Sequence, residues 1–64
     1  MLKIRLLTGG HLVETVDARW TINIADLAAE AGELESQHGA DDWEIINDIG
    51  AVVLPKSRWS ALTG

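Results

Sequence analysis

Hydrophobic and polar residues alternate at the start of the chain. In "LKIRLL", Leu2, Ile4 and Leu6 alternate with Lys3 and Arg5. A period of two is typical of a strand that packs one face against a core and exposes the other face to water. The pattern therefore predicts a half-buried first strand.

The next residues predict a tight hairpin turn. Residues 8–11 read "TGGH", and glycine readily adopts the positive φ that primed hairpin turns require. We expect Leu7 to pair with Leu12. That register would place Arg5 opposite Glu14, so that opposite charges meet across the two strands.

The second strand is predicted over residues 12–20, where the alternation is irregular. Val13 and Thr15 belong to one face, whereas Val16 and the apolar residues after it follow the other face. Because one extra residue in a strand moves the following side chains to the other face, a bulge is predicted at Val16 or Asp17.

The segment "TINIADLAAEAGELESQHG" has the spacing of an amphipathic helix. Its predicted inner stripe consists of Ile24, Leu27, Ala28, Ala31, Leu34 and His38. Asn23 is expected to cap the first turn and Gly39 to end the helix. The acidic residues Asp26, Glu30 and Glu33 lie off the apolar stripe and are expected on the surface.

Two further strands are predicted at "DDWEII" and "AVVLP", joined by a turn at residues 47–50. The continuous apolar run "AVVLP" predicts a strand buried on both faces, which Pro55 ends because proline donates no ladder hydrogen bond. A short helical tail with Trp59 and Leu62 follows. We therefore predict a single α+β domain over residues 1–64, a ββαββ unit of about four strands with one helix on one face.

Two stretches resemble β-grasp proteins, the ubiquitin-like class. The opening "MLKIRLLTGGHLVETVDARWTINIADLAAEAG" has a hairpin, a threonine before a helix, and an alanine-rich helix, in the order found in that family. "VVLPKSRW" is similar to a phrase in the sulfur carriers of thiamin and molybdopterin biosynthesis, with Pro55 and Trp59 at the matching positions. Those carriers end in a further strand and an activated Gly-Gly tail. Because this chain stops at Leu62-Thr63-Gly64, the resemblance implies a β-grasp-like fold and a degenerate carrier.

The tail alone resembles a second family. "GAVVLPKSRWSALTG" is similar to the strand-proline-lysine phrase of swapped-hairpin DNA-binding antitoxins and transition regulators. The matching residues are Gly50, Val52, Val53, Leu54, Pro55 and Lys56. Ala51 stands where that family usually has a basic residue. This second resemblance would imply DNA binding.

The amino-acid composition excludes several kinds of site and makes several functions unfavourable. The 64 residues include no cysteine, so disulfides and thiolate metal sites are excluded. Ten acidic residues against five basic ones give a net charge of −5, which repels phosphate backbones and makes direct nucleic-acid binding unfavourable. No apolar run reaches the roughly 20 residues of a membrane helix, and no secretion signal is recognisable at the N-terminus. The expected location is the cytoplasm.

No group of residues predicts catalysis, a metal site or a cofactor. His11 lies in the predicted turn and His38 at the helix end, so neither has a second ligand nearby in sequence. Ser36 and His38 are two positions apart and do not face each other on a helix. The acidic residues within 41–44 lack the spacing of a calcium loop. The sequence therefore predicts a protein that is not an enzyme and binds no cofactor.

The tryptophans give a further indication of function. The chain has three tryptophans and no phenylalanine or tyrosine, so Trp20 and Trp43 are expected in the core, where their volume is needed. Trp59 has two interpretations. It is either a core residue or, beside Arg58, an anchor for a partner.

These observations predict a non-catalytic protein-binding module, an adaptor or an inhibitor. The predicted partner-binding residues are Asp26, Glu30, Glu33, Arg58 and Trp59. The acids would meet a basic surface, and an exposed sheet edge would accept a strand from the partner. Two alternatives are a nucleic-acid mimic that inhibits a DNA- or RNA-binding enzyme, and the degenerate sulfur carrier. A homodimer formed by pairing of exposed sheet edges is a further alternative.

Overall fold

A computed structural model describes residues 1–18 and 20–63. Its elements are β1 (Leu2–Thr8), β2 (His11–Ala18), α1 (Ile24–His38), β3 (Asp42–Ile46), β4 (Val52–Pro55) and α2 (Lys56–Thr63). The predicted α+β class is confirmed, and the predicted helical tail is the eight-residue helix α2. Within the described ranges, neither helix is long and apolar enough to cross a membrane.

The four strands form one antiparallel sheet in the order β2-β1-β3-β4. Since β2 and β3 both pair with β1, α1 connects them by crossing over one face of the sheet. The strands β1 and β3 are therefore interior, and β2 and β4 are the two edges.

The hairpin between β1 and β2 closes with the predicted turn. Leu7 pairs with Leu12, and Thr8 pairs with His11. Gly9 has φ 58° and Gly10 has φ 82°, so both central residues of the turn lie in the left-handed region that favours glycine. Two successive positive φ values match the twist of the flanking strands.

The bulge in β2 lies nearer the turn than the sequence predicted. The register shifts between Leu6 and Leu7, so that Leu6 pairs with Glu14 and Val13 is the extra residue. The predicted bulge at Val16 or Asp17 is wrong. Because the shift lies near the turn, the second half of β2, including Val16, pairs with β1 without a further shift.

The predicted pairing of Arg5 with Glu14 is also wrong, because the bulge places Thr15 opposite Arg5. The partner of Arg5 is Glu44, directly opposite it on β3. Arg5 Nη2 lies 2.5 Å from Glu44 Oε1, and Nε donates to the same oxygen at 2.8 Å. This ion pair lies on the sheet face that α1 leaves open.

Both predicted ends of α1 are confirmed. The side chain of Asn23 accepts hydrogen bonds from the backbone N–H groups of Ala25 and Asp26, at 2.9 and 3.2 Å. Gly39 follows the helix in the left-handed conformation, with φ 67°. Each end of α1 thus satisfies backbone groups that a helix otherwise leaves unpaired.

The core lies between α1 and the sheet. Its buried members are Ile4, Leu6, Ala18, Leu27, Ala28, Ala31, Trp43, Ile45 and Leu54. On α1 the buried positions include two alanines, Ala28 and Ala31, whose small side chains let the helix backbone approach the strands. Leu34 packs against the core from the predicted stripe, whereas His38 is exposed.

The predicted burial of His38 on the inner stripe of α1 is wrong, and so are two further burial predictions. β4 was expected to be buried on both faces, yet Val52 and Val53 are exposed and Leu54 is its buried residue. The reason is that β4 is an edge strand of a sheet with its main helix on one face. Trp20 was expected in the core but is 56% exposed, because it follows β2 in the connection to α1. Trp43, at 3% exposure, fills the core as predicted.

Candidate functional site

The main candidate site is the acidic flank of α1, formed by Asp26, Glu30 and Glu33. Residues three and four positions apart share one side of a helix, so the three carboxylates form a row. Asp26 and Glu33 are exposed and Glu30 is half-buried. In the part of the chain that the structure describes, none of the three forms an ion pair.

The acidic flank lies on the β2 side of α1, and helical spacing directs Asp26 and Glu33 away from the buried stripe and so largely away from the sheet. Glu35, on the other side of the buried stripe of α1, contacts Lys56 with 2.6 Å between Oε2 and Nζ. Lys56 directly follows β4, and β4 is the edge opposite β2. Since α1 lies between the two edges and Glu35 is on the β4 side, the acidic flank is on the β2 side.

The neighbouring edge, β2, is largely uncovered. α1 packs over β1 and β3, and along β2 only Val16 and Ala18 are withdrawn from solvent. Glu14 pairs with the buried Leu6, so its side chain is on the same face of the sheet as α1. The backbone N–H of Thr15 donates to Glu14 Oε1 at 3.2 Å. Glu14 is thus a further acid on the same face of the sheet as α1.

Sequence reasoning did not identify Glu14 as a site residue. It was assigned to pair with Arg5, and only the bulge at Val13 removes it from that partner. A bulge position depends on which side chains the core accepts, so no local signal in the sequence indicates that Glu14 is on the α1 face of the sheet.

The structure separates the predicted partner-binding residues into two sets. Arg58 and Trp59 lie on α2, which contacts β4 and β3, whereas the acidic flank is on the β2 side of α1. Trp59 packs against the core and remains half-buried, and Arg58 is exposed. The two sets therefore do not form one continuous site.

Lys56 connects both helices, a contact that the sequence did not indicate. Its Nζ donates to Glu35 Oε2 at 2.6 Å and to the backbone carbonyl oxygen of Asp41 at 3.2 Å. These bonds hold the start of α2 against the end of α1 and the loop before β3.

We expect Lys56→Met to lower the free energy of unfolding by about 1 kcal/mol, because a part-buried charge-assisted bond to Glu35 and an exposed one to the Asp41 carbonyl are lost. Urea denaturation monitored by circular dichroism measures this change. The matched control is Arg58→Met on the same helix, where the exposed guanidinium has no ion pair among the described residues. The free energy of unfolding of this control variant is expected to lie within about 0.5 kcal/mol of the parent value. Equal effects of both changes would contradict the role given to Lys56.

The other candidate groups have structural partners. The carboxylate of Asp41 accepts a hydrogen bond from Gly9 N at 3.0 Å, and that of Asp42 accepts one from Trp43 N at 2.8 Å. Both carboxylates therefore shape the approach to β3. Across residues 1–18 and 20–63, no group of three or more histidine and acidic side chains is arranged to hold a metal ion.

An open recess of about 240 Å³ lies at the opposite end of the sheet from the hairpin turn. It is lined by Met1, Leu2, Asn47, Asp48 and Ile49. The N-terminal ammonium of Met1 forms an ion pair with Asp48 there. Neither histidine lines the recess.

Comparisons with models of known protein families, with curated proteins and with solved structures found no match to this chain.

Proposed function

We propose that the protein is a non-catalytic protein-binding module that uses the acidic flank of α1 to engage a basic partner. One observation supports this function above all others. Asp26, Glu30 and Glu33 form a row without ion pairs among the described residues, while other acids, including Glu35 and Glu44, are paired with cations. Complementary charge gives a partner orientation and fast association.

The position of this row strengthens the proposal. It lies on the side of α1 towards an edge strand, and Glu14 is on the same face of the sheet as α1. A surface that combines acids with an edge strand offers a basic polypeptide both charge and backbone hydrogen bonds. We place the module in the cytoplasm, in line with its composition, and cell fractionation of a tagged chain tests that location.

The partner is best identified by site-specific photo-crosslinking in the native cell. A crosslinking amino acid at position 33 is expected to trap the partner, whereas the same group at position 60, on α2, is expected to trap little. The purified partner then allows affinity to be measured directly.

We expect the triple change Asp26→Lys, Glu30→Lys and Glu33→Lys to weaken partner binding at least about tenfold, because attraction becomes repulsion. Titration calorimetry measures the affinity, and circular dichroism checks that the variant is folded. Arg58→Glu serves as the control on the far side of the domain and is expected to bind like the parent. Unchanged affinity of a folded triple variant would refute the proposal, and loss with Arg58→Glu alone would move the interface to α2.

The two alternative functions have their own tests. A nucleic-acid mimic would compete with an oligonucleotide for the captured partner, and its affinity would fall steeply as salt rises. A degenerate sulfur carrier would be modified at Gly64, which lies outside the described residues. Mass spectrometry after incubation with an activating enzyme and ATP would detect an adenylate or thiocarboxylate there.

A further inference from the structure

The open edge of β2 is eight residues long. Among the described residues no strand pairs with its outer side, where the N–H of Thr15 donates to Glu14 Oε1, and such an edge is a template for pairing with another chain. The other edge, β4, has four residues and ends in Pro55, which cannot donate a hydrogen bond. β2 is therefore the edge better suited to accept a strand.

A second copy of this chain does not suit the β2 edge. Antiparallel pairing of two β2 strands around a two-fold axis would keep both α1 helices on the same face of the joined sheet. The acidic flanks of the two copies would then face each other across the junction, with Glu14 of each copy between them. Like charges brought together in this way are repulsive, so the edge disfavours self-association.

We infer that the occupant of the β2 edge is an extended cationic segment of the partner, which adds to the sheet as a fifth strand. This inference rests on the proposed function and specifies the binding mode. Side chains of an added strand point alternately to the two faces of the sheet. Lysine or arginine at every second position would therefore point to the α1 side, towards Glu14 and the acidic flank.

The residues between the cations face the other side of the sheet. There the added strand would lie next to Thr15 of β2, which is exposed and pairs with Arg5. Small polar or β-branched side chains suit that position because they pack on a half-exposed pleated surface. The preferred ligand is thus a strand that alternates basic and small residues.

A synthetic octapeptide of alternating lysine and threonine, blocked at both ends, tests this inference with the 64-residue chain. We expect saturable one-to-one binding with the largest NMR shifts in β2. A peptide of the same composition with its four lysines in one block is expected to bind at least about fivefold more weakly, because its cations cannot all lie on one face of a strand. Equal binding of the two peptides would overturn the alternating mode.

Backbone methylation separates strand addition from simple charge attraction. One peptide carries N-methyl groups on its lysine amides and a second carries them on its threonine amides, so that each blocks one edge of the strand. One of the two is expected to lose at least about tenfold in affinity, since it cannot donate to β2, and the other is expected to bind like the parent. Equal affinities of the two methylated peptides would overturn strand addition.

Variants of the protein complete the test. A triple variant keeps the side-chain shapes but removes the charges: Asp26→Asn, Glu30→Gln and Glu33→Gln. It is expected to bind the octapeptide about tenfold more weakly. If this variant binds weakly but methylation has no selective effect, the acidic site stands and the strand mode fails. If neutralising the three acids leaves the affinity for every peptide unchanged, the proposed function fails as well.

Discussion

Replacing Trp43 by alanine is expected to unfold most of the molecules at 25 °C. The side chain is 3% exposed and lies in the centre of the core, next to Leu6 on β1. Truncation of a buried aromatic residue costs about 3–5 kcal/mol. A small domain has little stability to spare, since it buries a small share of its surface on folding. Far-UV circular dichroism and urea titration measure the loss.

The control for this change is Trp20→Ala. Trp20 is 56% exposed, so its truncation is expected to change the free energy of unfolding by less than about 1 kcal/mol. The two variants remove the same atoms from sites that the sequence alone did not distinguish. Similar destabilisation by both changes would show that Trp20 is packed in the core and would contradict the fold described above.

Replacing Ala31 by leucine is expected to lower the free energy of unfolding by about 1–3 kcal/mol, because the added methyl groups must enter a filled interior. Ala31 is completely buried between α1 and the sheet. Urea denaturation of the purified variant gives the value. Leucine at this site would push α1 away from β1 and β3, or force strained side-chain rotamers.

Ala29→Leu provides the matched control on the same helix. Ala29 is exposed, and alanine and leucine have similar helix propensities, so the change is expected to stay within about 0.5 kcal/mol. A stabilising effect of Ala31→Leu would mean that space remains between α1 and the sheet. In that case the close approach assigned to the alanine face would be incorrect.

Local signals in the sequence predicted the elements and their ends. Alternation predicted β1, the paired glycines predicted the turn, and Asn23 and Gly39 marked the ends of α1. Each of these features depends on residues within one turn or one strand. Hydrogen bonds and steric limits that act at short range therefore suffice to predict them.

Features that depend on distant contacts were not predictable in the same way. The bulge at Val13 is set by which side chains the core accepts, and the exposure of Val53 follows from the position of β4 at the sheet edge. The pairing of Arg5 with Glu44 requires β3 to lie beside β1. Strand order joins residues far apart in the chain, and the residue pattern alone does not specify it.

The same distinction between local and long-range contacts applies to the candidate site. Helical spacing predicted that Asp26, Glu30 and Glu33 share one surface. The direction of that surface follows from a long-range contact between Lys56 and Glu35. That contact assigns the acidic flank to the β2 side of α1, and the proposed site for an extended basic ligand depends on this assignment.

Amide hydrogen exchange along β2, measured by NMR with and without the alternating lysine-threonine octapeptide, tests the central claim most directly. We predict that alternate β2 amides that exchange quickly in the free protein become protected at saturation, while amides of α2 keep their rates. Protection that appears on α2, or binding that leaves every β2 amide unchanged, would contradict the account.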